Sequence, residues 1–307
     1  MSPFFSVVIT LYNKEKYIKS TLESVLNQTF TDFEIIIIND GSIDNSLDVI
    51  TLFKDEKIKI FTSKNKGASQ SRNKGIELAN SNYIALLDGD DLWDENYLNE
   101  MHKAISTNKH LSVFCCALAQ KYNNKCIPVN YNFIPKQKYE THNYFKSSFK
   151  FSILSSSSII FKKEIIEVSG DFDNTIVSGE DIDMWVRIGL NYDILFINKI
   201  LAFYRHIPGS LSNSIFEASK KPTFERYKCL EKNNKYLKKF LDLNRYSLAL
   251  MCKINNQKKA YHFYKNRLNS SNLSLLKRTL LFCPKWILDI LLCIKSLKKE
   301  KTHYKPL

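Results

Sequence analysis

Three carboxylates fall within four residues at Asp88-Gly-Asp90-Asp91. In extended chain, residues i and i+2 point to the same side, so Asp88 and Asp90 share one face and Asp91 enters the turn. Clustered carboxylates repel one another unless a proton or a cation joins them. Hard oxygen donors favour Mg²⁺ or Mn²⁺, and Gly89 leaves room for a close ligand. The plainer reading is an acidic turn capping a helix that begins near Asp94. The position of the cluster, directly after the apolar run Ile84-Ala-Leu-Leu87, favours the ligand reading.

Three other segments carry groups that can do chemistry. Asn39-Asp40-Gly41-Ser42 follows a second apolar run, and Asp40 there can accept from a base N–H or a ribose hydroxyl; alone, it reads equally as a tight Asp-Gly turn. Lys64 to Asn73 places Gly67 and small residues at a helix start with Lys66 and Arg72 nearby, which suits phosphate or an ordinary capped helix. It matches neither common nucleotide-loop pattern. Gly179-Glu180-Asp181 opens a helix whose Met184, Trp185 and Ile188 read as core. The two acids are either N-terminal helix charges or include a general base; spacing alone does not choose.

The elements that must position these groups are legible from periodicity. Strands are expected at 5–10, 33–38, 58–62 and 83–87, and helices at 14–28, 44–54 and 68–79. Phe33-Glu-Ile-Ile-Ile-Ile38 suits a strand buried on both faces, hence a parallel sheet with helical crossovers. The alternation predicts an open α/β sheet, in which ligands bind beyond the carboxyl ends of the strands. Thr10 to Asn13, Asn39 to Ser42 and Asp88 to Asp91 are therefore expected in one crevice. Further strands are expected at 111–119, 155–161 and 194–204, whereas 110–178 is otherwise irregular and carries little signal.

Taken in order, these pieces resemble glycosyltransferase family 2, the inverting GT-A transferases. The resemblance rests on Val7-Val-Ile-Thr-Leu-Tyr-Asn13, Asn39-Asp-Gly-Ser-Ile-Asp44, Gly67-Ala-Ser with Ser71-Arg72-Asn, Leu87-Asp-Gly-Asp-Asp91 and Gly179-Glu-Asp181, and spans roughly residues 4–214. It implies a GT-A fold: a Rossmann-like, mainly parallel open sheet with flanking helices. It also implies a nucleotide-sugar donor, a UDP-sugar, and an Mn²⁺ or Mg²⁺ ion. By that resemblance Thr10 and Tyr12 flank the base and Asp40 contacts the nucleoside. Arg72, Asp88 and Asp90 belong to the donor site, and Asp90 and Asp91 to the metal. Asp181 is the base, with Glu180 the fallback. Family members often end this domain with Tyr-Arg-x-His-x-x-Ser. Here the segment reads Tyr204-Arg-His206-Ile-Pro-Gly-Ser210-Leu-Ser212, with the histidine one position early, so His206 ranks below the aspartates as a metal ligand. The implied context is surface polysaccharide, capsule or lipopolysaccharide synthesis on a glycan or lipid-linked acceptor.

Composition bounds these readings. The 307 residues are 44% hydrophobic and 13% aromatic, enough for a sizeable core and against general disorder. The net charge of +14 is unevenly placed: residues 1–214 hold 23 basic and 25 acidic residues, and 215–307 hold 22 and 6. The expected organisation is a catalytic domain over 1–214 and a basic helical region over 215–307 that meets something anionic. Apolar residues recur at a helical period from Leu276 to Leu297, interrupted by Lys285, Asp289 and a Pro284 kink, which suits a helix lying on a membrane surface rather than one crossing it. Packing on the catalytic domain or dimerisation is the plainer alternative. Nucleic acid is not expected, since aromatic stacking motifs are absent. Seven cysteines, an odd number without C-x-x-C spacing, argue against a disulfide framework or zinc and for a reducing compartment. No secretion signal is read at the start, so the expected location is cytoplasmic, on the inner membrane face. Two other function classes fit parts of the pattern: a sugar nucleotidyltransferase, which would release pyrophosphate, and a non-catalytic scaffold.

Overall fold

The computed structural model describes residues 2–122, 125–207 and 216–297, with side chains to 294. The chain divides into two compact units, Met1–Pro208 and Gly209–Leu307. The boundary expected at 214 and the residues Ser210 and Ser212 lie outside the described residues.

The first unit is an open sheet of mixed parallel and antiparallel strands with helices on it; the parallel expectation holds for its first four strands. Strands β1 (Phe5–Leu11), β2 (Phe33–Asn39), β3 (Ile58–Thr62) and β4 (Tyr83–Asp88) alternate with helices α1 (Ile18–Leu26), α2 (Ser46–Thr51) and α3 (Ala68–Leu78). Then follow β5 (Leu92–Trp93), α4 (Tyr97–Thr107), β6 (Val113–Tyr122), β7 (Lys125–Pro128), β8 (Tyr139–His142) and α5 (Tyr144–Ser147). The unit closes with β9 (Ile159–Lys162), α6 (Ile165–Ser169), α7 (Glu180–Asn191) and β10 (Ile194–Arg205).

The sheet order is β3-β2-β1-β4-β9-β6-β10-β5. All seven residues of β2 are buried, as a doubly covered parallel strand requires. Strands β1 to β4 are mutually parallel, whereas β9 runs antiparallel between β4 and β6. That reversal had no counterpart in the periodicity, because β9 has only four residues. Successive strands leave β1 in opposite directions, toward β2 and toward β4, which makes the β1–β4 boundary the switch point where such sheets bind ligands. The register places Thr10 beside Asp88 and Leu11 beside Asn39, so the polar ends of β1, β2 and β4 finish level. Beneath them Phe5, Val7, Ile9, Leu22, Ile35, Ile37, Leu87, Met101 and Phe114 form a continuous core.

The second unit is helical: α8 (Leu230–Asn233), α9 (Lys235–Ile254), α10 (Lys258–Asn266), α11 (Leu275–Phe282) and α12 (Lys285–Leu297). The Asn234 side chain caps α9 by accepting from the N–H groups of Tyr236 and Leu237. Its own core joins Tyr246, Leu250, Tyr264, Leu281 and Leu288. The single kinked helix expected from Leu276 to Leu297 is instead two helices. They separate at Cys283-Pro284, where proline removes a backbone donor.

Candidate active site

The site is built at the carboxyl ends of β1 and β4. Asp88 ends β4, and Thr10 Oγ1 donates to its Oδ1 across the strand pair at 3.2 Å. The chain then turns at Gly89, whose N–H donates to the Thr10 carbonyl at 2.9 Å. A side chain at position 89 would bring its Cβ within 2.8 Å of that carbonyl oxygen, so the turn needs glycine.

The three aspartates of this turn take different roles. Asp88 and Asp90 keep 30% and 16% of their side-chain surface exposed, while Asp91 is buried. Lys14, just ahead of α1, pairs with Asp90 Oδ2 at 2.5 Å. The Asp91 carboxyl, one of the two expected at the metal, is engaged by protein donors. Its Oδ2 accepts from the Ser157 hydroxyl at 2.5 Å and its Oδ1 from the Arg205 N–H at 2.9 Å. Both oxygens thus face protein donors, and the carboxyl ties the 88–91 turn to β10 and to the segment before β9. Burial, with Asp90 and Asp88 alongside, pushes the Asp91 carboxyl well above the usual range. Burial also raises Asp90, with Lys14 opposing and Asp88 adding to the rise. Arg205 reinforces the turn from the other side: its Nε donates to the Asp90 carbonyl and its Nη2 to the Thr21 hydroxyl at 2.7 Å.

Arg72 joins the two acidic segments that sequence spacing could not connect. From α3 its Nη2 donates to Asp88 at 2.9 Å and its Nη1 to Glu180 at 2.7 Å. Burial opposes its charge, but the two carboxylates outweigh that and hold the guanidinium protonated. Phe172 lies under it, with the ring centroid 5.3 Å from the guanidinium carbon. Arg72 is therefore a positioning residue that brings the start of α7 to the end of β4. Glu180 is buried on Arg72. Asp181 accepts only its neighbour's N–H, that of Ile182 at 2.8 Å, among the hydrogen bonds described. Burial pushes its carboxyl up to about 6, with Glu180 adding to the rise and Arg72 opposing it.

The nucleoside residues of the expectation lie on the neighbouring strand ends. Tyr12 is 39% exposed, enough to offer a ring face. Asp40 is buried, and its two oxygens accept from the N–H groups of Lys66 and Gly67, each at 2.8 Å. The donors expected to face phosphate at that helix start are thus partly taken by Asp40. Gly41 adopts a φ of +70°, and a Cβ there would meet the Asn65 nitrogen at 2.8 Å, so the second and third loops approach too closely for another residue. Asn13 ties the first and second loops, accepting from Ile43 N–H at 2.9 Å. A groove of about 1030 Å³ extends from Asp40 and Lys66 along α3 to Lys163 and Asn174. None of Asp88, Asp90 or Asp181 lines it.

His206 stacks on Tyr122, ring centroids 5.4 Å apart, and its N–H donates to the Lys121 carbonyl. Both of these contacts are with β6. Sequence reasoning missed Lys14, Ser157 and Arg205. Arg205 stands inside the motif Tyr204-Arg-His206, the one signal that points to it; Lys14 and Ser157 carry no signal beyond their elements. Among the described residues, no group of three or more His, Cys, Asp or Glu converges to hold a metal ion unaided.

Comparison with known proteins bears on the family and the fold. The family model described as Glycosyl transferase family 2 matches residues 6–170. Glycosyltransferase GlyG of Streptococcus pneumoniae is 31% identical over 235 residues, covering 71% of this chain and 76% of GlyG. The Escherichia coli protein named UDP-Glc:alpha-D-GlcNAc-diphosphoundecaprenol beta-1,3-glucosyltransferase WfgD is 29% identical over 219 residues, 70% of this chain and 82% of WfgD. Among solved structures, Staphylococcus aureus TarS 1–349 in complex with UDP superposes with a TM-score of 0.57 at 18% identity, covering 88% of this chain and 91% of that one. The matched region runs from β1 through the Asp88–Asp91 turn into α6, and with the overall similarity to GlyG it establishes that the chain is a glycosyltransferase of family 2.

Proposed function

We propose that the chain transfers a sugar from a UDP-sugar to a hydroxyl of a glycan or lipid-linked acceptor, inverting C1, with Mn²⁺ or Mg²⁺ at the Asp88–Asp90 turn. The observation that carries this reading is the Arg72 bridge. It brings Glu180, the neighbour of Asp181, to Asp88 at the end of β4, and the Asp181 carboxyl is raised to about 6. A UDP-sugar donor is supported by the UDP complex of TarS and by the name of WfgD, which also specifies a lipid-linked acceptor.

The donor set suits a hard divalent ion: Asp90 and Asp88 are the two carboxylates of the turn that reach solvent. Two carboxylates without a third fit an ion that keeps waters and shares substrate phosphates, as Mg²⁺ characteristically does. When bound, the ion supplies Lewis-acid stabilisation of the leaving diphosphate. Thr10, Tyr12 and Asp40 line the strand ends toward the nucleoside. Asp181, ionised above about pH 6, takes the proton of the acceptor hydroxyl. The acceptor oxygen forms its bond to C1 as the C1–O bond to the diphosphate breaks, and that electron pair leaves on the diphosphate. Glu180, held by Arg72, keeps the guanidinium in place and suits the base role less. General-base assistance of this kind is worth about 10²–10⁴-fold. Membership of the family leaves the nucleotidyltransferase and scaffold alternatives without support.

The test is UDP release from a panel of UDP-sugars with Mn²⁺, comparing wild type with Asp90→Asn and Asp181→Asn. The proposal expects Asp181→Asn to bind donor normally and turn over slowly, and Asp90→Asn to lose the metal response. Equal activity in metal-free buffer refutes the metal assignment, and a crippled Glu180→Gln beside a mild Asp181→Asn reverses the two roles.

A further inference from the structure

Helices α11 and α12 bury one side and leave the other uncovered. Leu280 and Leu281 of α11 and Leu288 of α12 join the core of the helical unit. On the outside, Leu275, Leu276 and Phe282 of α11 are 77%, 68% and 61% exposed, and Trp286, Ile290 and Ile294 of α12 are 63%, 49% and 47% exposed. The spacing 286, 290, 294 is one face of a helix. Soluble proteins seldom leave so many large apolar side chains uncovered on consecutive elements.

The surroundings of this face are cationic. Lys265 lies 4.5 Å from the centroid of the Phe282 ring. Arg278 and Lys285 stand on the same two helices, where Asp289 pairs with Lys285 at 3.8 Å, and residues 215–307 as a whole carry 22 basic against 6 acidic residues. No helix among the described residues is long and apolar enough to cross a membrane. Apolar side chains at the level of acyl chains, with lysine and arginine at the headgroups, are the physical signature of a helix lying in an interface.

We propose that the outer face of α11 and α12 docks on a bilayer surface of anionic lipids, with Phe282, Trp286, Ile290 and Ile294 inserted. Two copies of so cationic a surface repel each other, which disfavours a second copy as the occupant. Nucleic acid satisfies the cations but gives Leu275, Ile290 and Ile294 nothing to bury against. The inference goes beyond the donor chemistry and stands without it; with a lipid-linked acceptor, it holds the enzyme on the surface where that acceptor lies.

The structure supplies its own reporter. Of the three tryptophans, Trp93 and Trp185 are buried, so emission changes on vesicle binding report Trp286. Full-length protein is sedimented with vesicles of phosphatidylcholine alone or with about 30% phosphatidylglycerol, at low and high salt. The wild type should pellet with the anionic vesicles, release partly in high salt and shift its tryptophan emission to the blue. Phe282→Ser with Trp286→Ser and Ile290→Ser should weaken partitioning by at least about tenfold, the scale for withdrawing that apolar surface. It should leave UDP-sugar hydrolysis unchanged, since the described active-site residues all belong to the first unit. Equal partitioning of wild type and variant, or wild-type binding without a blue shift, overturns the proposal. So does a dimer in sedimentation velocity that the same substitutions dissociate, which assigns the face to a second copy.

Discussion

Replacing Asp181 by asparagine should make the protein more stable and nearly inactive at the same time. In the folded chain this carboxyl is raised from 3.8 to about 6 by burial and by Glu180. A group whose folded pKa lies above its unfolded value favours folding only while protonated. Its contribution is complete below about pH 4 and is lost as pH rises through 6. Raising a carboxyl from 3.8 to about 6 corresponds to about 3 kcal/mol. Asp181 keeps some contact with solvent, so about 2 kcal/mol is the amount expected in water. Asparagine carries no charge to desolvate. The stability difference between variant and wild type should therefore be near zero at pH 4 and reach about 2 kcal/mol in the variant's favour by pH 7.5. For a folding unit of this size that is about 4–8 °C in Tm. Thermal melts of both proteins at pH 4, 5, 6 and 7.5 give the curve. UDP release at pH 7.5 should fall by about 10²-fold or more, and the wild-type kcat should decline below about pH 6 with the slope of one proton. A Tm difference that is independent of pH, or a variant less stable than wild type at pH 7.5, refutes the claim that a desolvated carboxylate sits at the start of α7.

Arg72→Met leaves Asp88 and Glu180 without their shared cation and should cost about 3–5 kcal/mol at pH 7.5. Urea melts of both proteins at pH 7.5 read the loss, and a variant as stable as wild type refutes the bridging role. Asp90→Asn and Asp91→Asn should separate: the first alters Mn²⁺ affinity, by calorimetry, with little change in Tm. The second leaves one of the Ser157 and Arg205 donors poorly matched and costs about 1–3 kcal/mol, so a variant as stable as wild type refutes the tethering role. Glu34 is buried, which raises its pKa, but hydrogen bonds from Lys59, Ser6 and Asn80 outweigh this and lower it. Glu34→Gln should therefore lower Tm at neutral pH, by an amount that vanishes as acid protonates the wild-type carboxylate; a pH-independent difference argues against the ionic network.

The sequence by itself determined the first half of the fold, because each signal there is local. A run such as Glu34 to Ile38 can only be a covered strand, and the strands expected at 58–62 and 83–87 stand at Ile58–Thr62 and Tyr83–Asp88. With parallel strands, the polar residues that follow each run necessarily meet at one edge. The asymmetry of charge likewise needed no structure. What only tertiary structure decided is which of those polar groups is available for chemistry. Asp90 and Asp91 are adjacent and chemically identical, yet one meets Lys14 and the other is enclosed by Ser157 and Arg205, 66 and 114 residues away. Glu180 and Asp181 are distinguished only because Arg72, 108 positions from Glu180, reaches the first and not the second. The outer face of α11 and α12 could be told from their inner face only once Leu280, Leu281 and Leu288 had found partners. Periodicity fixes which side chains share a face. The desolvation and pairing that set a carboxylate's charge come from atoms that only the packed chain brings within reach.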